Sequence, residues 1–262
     1  MSLSGQLRVL AGLAETAGER ALAMREAGLT TEYKPGDRSP VTNADLAVDA
    51  FLKAELTALD PDAGWLSEET VDDPRRLTRR RLFVVDPIDG TRAFVKGAPW
   101  WGVSIAVVED GRPVLGVVHA PQLKETYIAE AGKGAFLGDK PIQPSDAGDL
   151  ENCEIIGDAQ ALAQGEWPTP WPTMRFQSRN SIAYRLCLVA SGVFDVALTL
   201  TPKNDWDLAA GDLIAKEAGA FVGDHQGHEF IYNRAQPMQK SLVCAAPGLA
   251  PLILERVAHI AG

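Results

Sequence analysis

Residues 84–94 read VVDPIDGTRAF: an apolar run that ends in two aspartates three apart, followed by Gly-Thr. The β-branched run reads as a strand, and Asp, Pro and Gly are turn residues because each presets or permits backbone angles that strands avoid. Alone, the stretch is either a strand-end turn or a pair of carboxylates held at the end of a sheet strand. The surrounding chain has to decide between them.

Towards the N-terminus, residues 3–26 are rich in Leu, Ala, Glu and Arg, with Leu3, Leu7 and Leu10 at helical spacing, which predicts a packing helix. YKPGDRSP (33–40) is a loop by its Pro and Gly content, and VTNADLAVDAFLKAELTAL (41–59) reads as a second helix with Thr42 or Asn43 at its cap. Leu52, Leu56 and Leu59 form its apolar stripe, and Asp45 falls in the first turn, where a carboxylate offsets the helix dipole.

Towards the C-terminus, RLFVVD, WGVSIAVVED, PVLGVVHAP and ETYIAEA are strand-like, with a hairpin signal at EDGRP, so helices packed on an antiparallel sheet are expected up to about residue 145. Beyond the polar segment 141–148 the pattern changes. CEIIGDA, DVALTLT and KSLVCAA read as strands; SIAYRLCLVASG, WDLAAGDLIAKEAGA and LAPLILERVAHI read as helices, the first two stopped by Gly192 and Gly219. The expected organisation is an N-terminal α+β unit over residues 1–145 and a C-terminal α/β unit over 146–262.

At 262 residues, 46% hydrophobic and 23% charged, the composition is that of an ordinary globular protein. A formal charge of −10 disfavours nucleic-acid or anionic-membrane partners that bind through bulk electrostatics. Cys153, Cys187 and Cys244 lack CxxC spacing and read as buried thiols, not as a zinc site or a disulfide framework. No uninterrupted apolar segment is long enough for a signal peptide or a membrane span, so a cytoplasmic location is expected. The basic run RRLTRRR (75–81) reads as a solvated loop flank.

Four acidic features stand at the ends of different elements: Asp45, the Glu68–Glu69 pair in SEE, Asp86 with Asp89, and Asp207 beside Trp206. Sites are assembled on a scaffold in this way. An EF-hand fails, because counting Asp86 as position 1 puts Gly97 at position 12, where a glutamate is required. No GxSxG elbow occurs, and His119, His225, His228 and His259 lie outside every acidic motif.

DPIDGTRAF and WDLAAGDLIAKEAGA, with VTNAD and SEET in order before them, resemble the signatures of the inositol monophosphatase family. The resemblance implies a layered, alternating α-β-α-β-α sandwich and a magnesium-dependent phosphomonoesterase. It carries Glu68, Asp86, Asp89 and Asp207, with the Ile88 carbonyl, onto metal-binding positions, most of them in the N-terminal unit and Asp207 in the C-terminal one. Asp45, Glu69 and Thr91 match positions that orient or activate the attacking water. It also implies lithium sensitivity, a homodimer and a small soluble phosphate as substrate, or else a relative that keeps the metal and acts through partners. The intact acids favour catalysis.

The residue chemistry agrees. Magnesium prefers oxygen ligands, so a carboxylate cluster without histidine suits it better than zinc, and two or three Mg2+ ions are what the resemblance implies. A short helix starting at residue 90 would aim free amides at an anion, with Gly90 letting a phosphate approach Thr91 closely.

For the substrate, the stretch ALTLTPKNDWD (197–207) offers Thr199, Leu200 and Thr201 where inositol-phosphate enzymes of the family usually place a glutamate. Lys203 and Arg185 would pair with a second phosphate. TPKNDWD is similar to the bacterial 3'(2'),5'-bisphosphate nucleotidases, and DGTRAF both to these and to histidinol-phosphate phosphatases. Adenosine 3',5'-bisphosphate is the expected substrate, with inositol 1-phosphate and histidinol phosphate as alternatives.

Overall fold

The computed structural model describes residues 2–36, 38–157, 162 and 167–260. The last two residues of CEIIGDA, Asp158 and Ala159, lie outside the described residues.

The N-terminal helix α1 (Leu3–Ala27) leads through a small hairpin, β1 (Thr31–Tyr33) and β2 (Pro40–Thr42), into α2 (Asn43–Leu59). Thr42 is the cap residue of α2, accepting from the Ala44 and Asp45 amides. Then follow β3 (Gly64–Ser67), a 3-10 turn (Pro74–Thr78), β4 (Arg81–Asp89), the short α3 (Thr91–Val95) and the meander β5 (Gly102–Glu109), β6 (Arg112–Ala120), β7 (Glu125–Glu130), β8 (Ala135–Leu137) and β9 (Lys140–Pro141). These strands form one seven-stranded sheet in the order β3-β4-β5-β6-β7-β8-β9. The sheet is antiparallel except at its first edge, where β3 runs parallel to β4.

The remainder comprises β10 (Glu154–Gly157), β11 (Arg175–Gln177), α4 (Ile182–Ala190), β12 (Val196–Thr199), β13 (Lys203–Asn204), α5 (Asp205–Ala218), β14 (Phe221–Gly223), β15 (Met238–Gln239), β16 (Leu242–Ala245) and α6 (Ala250–Val257). A second, five-stranded sheet has the order β11-β10-β12-β16-β14, with β10 parallel to both neighbours and β16 antiparallel to both of its own.

Side-chain alternation along the strands explains the stacking. Phe83, Val85, Ile105 and Val107 face Leu10, Ala14, Leu52 and Leu56 of α1 and α2. Their neighbours Leu82, Val84, Ala106 and Val108 face the opposite way, into a core with Leu186 and Cys187 of α4 and Ala210 and Ile214 of α5. That core continues to Ile156, Ala197 and Cys244 of the second sheet, whose other face carries Ile155, Val196 and Val243 against Leu249 and Ile253 at α6. The layers therefore run α-β-α-β-α, as the resemblance implies.

Helix α5 lies at the centre because Gly211 lets α4 approach: a Cβ there would come within 2.9 Å of Leu186 Cβ and 3.2 Å of the Ala183 carbonyl. Close packing accounts for the Ala-Ala-Gly run.

Two sequence expectations need correction. Leu3 is 37% exposed, so the buried stripe of α1 begins at Leu7. The basic run is not wholly solvated: Arg76 is 2% exposed, and its guanidinium donates to both Asp72 oxygens, to Asn233 Oδ1 at 2.8 Å and to the Arg234 carbonyl at 3.0 Å. Charge density along the chain carries no record of acceptors more than 150 residues away.

Candidate metal centre and active site

Strand β4 loses its register at DPID. Asp86 pairs with Ser104, whereas Asp89 pairs with Gly102, so three steps along β4 match two along β5. Such a bulge re-aims side chains at the end of a strand, and both aspartates stay buried. The chain then turns through Gly90 at φ 95°, in the left-handed region, into α3.

The third acid arrives from the other half. Asp207 sits in the first turn of α5, where its carboxylate accepts from the Asn204 amide at 2.9 Å. Asp86, Asp89 and Asp207 bring carboxylate oxygens within 4.8 Å of one another. Asp89 is gripped by the start of α4: it accepts from Ser181 Oγ at 2.5 Å, Ile182 N at 3.1 Å and Ala183 N at 2.7 Å.

Around the acids opens a cleft of about 440 Å3. Its wall includes Glu68, Asp86, Asp89, Gly90, Thr91 and Asp207 together with Arg185 and Lys203. Asp45, Glu69 and Ile88 do not line it and sit behind it. Asp45 accepts from the Thr42 amide at 2.8 Å and from the hydroxyls of Thr42 at 2.5 Å and Thr91 at 3.1 Å. The Ile88 carbonyl lies 3.1 Å from the same Thr91 hydroxyl. Glu69 shares Lys34 with Glu68, each carboxylate 2.8 Å from its Nζ.

The electrostatics follow from crowding acids in a desolvated place. Burial, then the charges of Glu68, Asp89 and Asp207, push Asp86 well above the usual carboxylate range. Burial and the charges of Asp89 and Glu68 do the same to Asp207. Asp89 is pushed up to about 6 by burial, against the donors from Ser181, Ala183 and Ile182. Glu69 is pushed up to about 7, chiefly by burial, with the Lys34 hydrogen bond opposing. Burial raises Asp45 against its threonine donors. On the cationic side, burial and the charge of Arg185 lower Lys203, while Asp207 opposes. Convergent hard oxygens that repel one another are relieved by a divalent cation, so this donor set fits magnesium.

Lys34 and Ser181 are absent from the sequence reading of the site. Ser181 caps α4, its hydroxyl accepting from the Tyr184 amide. Its second bond, to Asp89, had no local signal. Lys34 lay in a segment that reads only as a loop.

Comparison with known proteins decides the family: residues 4–261 match the model of the inositol monophosphatase family. The chain belongs to the inositol monophosphatase family. It is 36% identical over 230 residues to the 3'(2'),5'-bisphosphate nucleotidase CysQ of Salmonella typhimurium, covering 84% of this chain and 91% of that one. It is 32% identical over 234 residues to a histidinol-phosphatase of Chlorobaculum parvum, covering 87% and 89%. The solved Thermotoga maritima IMPase superposes with a TM-score of 0.84 at 30% identity, covering 97% of both chains. Membership of this family of phosphatases makes the chain a phosphoric monoester hydrolase. No helix among the described residues is long and apolar enough to cross a membrane.

Proposed function

We propose that the chain is a Mg2+-dependent phosphomonoester hydrolase whose preferred substrate carries a second anionic group, as a 3'(2'),5'-bisphosphate nucleotide does. The observation that carries the substrate reading is the pair of cations on the cleft wall. Arg185 and Lys203 are close enough for one charge to disfavour the other, beside Thr199 and Thr201, with Asp207 and Asp89 offsetting part of the charge on Lys203. A second phosphate would relieve that repulsion, whereas the ammonium of histidinol phosphate would add to it and neutral inositol hydroxyls would leave it in place.

In this reading Glu68, Asp86, Asp89, Asp207 and the Ile88 carbonyl hold the metal. When bound, Mg2+ supplies a Lewis acid for the phosphoryl oxygens and makes water at the site easier to deprotonate. The chain's own residues do the rest. The first hydrogen bonds of α3 run from Ala93 and Phe94 to the Gly90 carbonyl, so the amides of Thr91 and Arg92 precede them and serve the phosphate.

Thr91 Oγ1 lies 3.1 Å from both Asp45 Oδ1 and the Ile88 carbonyl. It has one proton to give, which leaves its lone pairs to orient a water. Asp45 takes the proton passed through Thr91. Glu69, near 7, is a second acceptor whose proton affinity suits neutral pH.

The test is a phosphate-release panel with adenosine 3',5'-bisphosphate, inositol 1-phosphate and histidinol phosphate. The bisphosphate is expected to have the highest kcat/KM. A preference of about tenfold or more for inositol 1-phosphate, about 1.4 kcal/mol in transition-state binding, overturns the substrate reading. A homodimer and inhibition by millimolar-range lithium are proposed on family grounds. Sedimentation as a 28.1 kDa species alone, or rates unmoved by lithium, would remove them.

A further inference from the structure

Helix α2 buries two aspartates one turn apart, Asp45 at 1% and Asp49 at 7% exposure. Like charges at this spacing repel along a helix, so each needs its own compensation. Asp45 has its threonine donors and belongs to the site described above. Asp49 is met by two hydroxyls: its Oδ1 accepts from Ser67 Oγ, and its Oδ2 accepts from Thr70 Oγ1 at 2.6 Å. Ser67 and Thr70 are the residues on either side of Glu68 and Glu69.

The two glutamates begin where the sheet ends. Ser67 is the last residue of β3, and the final backbone bond that ties this segment to β4 is Glu68 N to the Val85 carbonyl at 3.3 Å. Beyond it the chain bends away; Lys34 ties the two carboxylates to each other, and the backbone that carries them needs an anchor of its own. One buried carboxylate on a helix that is itself packed into the core holds both ends of that segment.

We propose that Asp49 is a positioning residue for the Glu68–Glu69 pair, fixing Glu68 towards the metal and Glu69 towards the attacking water from a place that touches neither. The inference rests on the proposed reading of those two glutamates. A two-point clamp sets direction as well as distance. Groups that orient metal ligands without binding metal change metal affinity or activity by about 10–100-fold when lost.

The experiment compares Asp49→Ala, Asp49→Asn and Glu68→Gln. Mg2+ binding is followed by calorimetry, kcat and KM with a phosphomonoester, and amide hydrogen exchange of residues 66–71 in the metal-free protein. Asp49→Ala is expected to weaken Mg2+ about tenfold and to lower kcat about tenfold. KM should change less than about threefold, since the cations of the cleft wall lie on another element. The amides of residues 68–70 should lose protection while those of β5 and β6 keep theirs. Asp49→Asn retains one acceptor and one donor, and both hydroxyls can meet them, so it should recover most of the loss.

A lower Tm with unchanged Mg2+ affinity and unchanged kcat for Asp49→Ala overturns the inference and leaves Asp49 a structural residue. Glu68→Gln separates this outcome from failure of the metal-site reading. If that reading is wrong, Glu68→Gln binds Mg2+ as the unaltered protein does. Should Asp49→Ala not fold, Thr70→Val removes one arm of the clamp. It is then expected to weaken Mg2+ about threefold, and no change would overturn the proposal.

Discussion

Ser181 Oγ donates to Asp89 Oδ2 at 2.5 Å across 92 residues of sequence. The bond joins the first turn of α4 to the end of β4, and with the Ile182 and Ala183 amides it gives Asp89 three donors from the other half of the chain. Hydrogen bonds to the charged form favour ionisation, so Ser181 keeps Asp89 closer to a carboxylate than its burial alone would allow.

Replacing Ser181 by Ala is therefore expected to weaken Mg2+ binding about tenfold, while the two amides still hold Asp89 in place. Asp89→Asn should abolish turnover without unfolding the chain, because an amide oxygen is a weaker ligand than a carboxylate. Calorimetric Mg2+ titration, phosphate release and circular dichroism on both variants check this. An Asp89→Asn protein that unfolds would mark the carboxylate as structural.

The acid cluster sets a pH dependence. Asp86, Asp89 and Asp207 all have folded-state values above those of an unfolded chain, Asp89 at about 6. The metal-free folded protein thus binds more protons than the unfolded one from about pH 4 upward, and its stability falls as pH rises through about 6. Bound Mg2+ cancels the repulsion that causes this and has to displace protons at low pH. The rise in Tm on adding Mg2+ is expected to be larger at pH 8 than at pH 5, and excess chelator should remove both the shift and the activity. Equal shifts at the two pH values would contradict it.

Lys203→Glu should lower kcat/KM for adenosine 3',5'-bisphosphate by about tenfold or more, about 1.4 kcal/mol, and that for inositol 1-phosphate by much less. The glutamate would repel a second phosphate and leave a lone one nearly indifferent. Equal losses would mean that Lys203 does not read the second phosphate.

Arg76 supports the scaffold at a distance from the cleft. Its partner Asp72 is 39% exposed on its side chain, so water can replace part of what is lost there. Asn233 and the Arg234 carbonyl would keep unmet acceptors. Arg76→Ala is expected to cost about 3 kcal/mol in chemical denaturation, with Mg2+ affinity unchanged. A change below about 1 kcal/mol would show that the buried guanidinium contributes little.

What the chain's order of residues makes legible is local or periodic. The β-branched apolar runs of β4 to β6, bounded by turn residues, and the leucine spacing of α2 announce strands and a helix directly. The turns at Gly90 and Gly219 follow from glycine's access to positive φ, observed at 95° and 102°. Asp45 and Asp207 are found by the same local rule, since each sits in the first turn of a helix and bonds back to the residue three before it. The parallel edge strand β3, the burial of Arg76, the reach of Lys34 to Glu68 and the grip of Ser181 on Asp89 were not legible. Each is a pairing between residues 18 to 158 positions apart, and nothing in either partner's neighbourhood encodes the other. Long motifs bridged part of this gap for the acids, and no motif did so for their supports.

The bond between Ser181 and Asp89 also has a meaning in time. A ribosome delivers this chain from the N-terminus, so Asp86 and Asp89 emerge on a nearly complete strand long before residues 181–183 and Asp207 exist. During that interval the donors from α4 are missing and water takes their place, so the open end of the first sheet stays wet and acidic. The closed cluster can form only when α4 and α5 dock, so a chain halted before Asp207 would carry the first signature intact and have no working site.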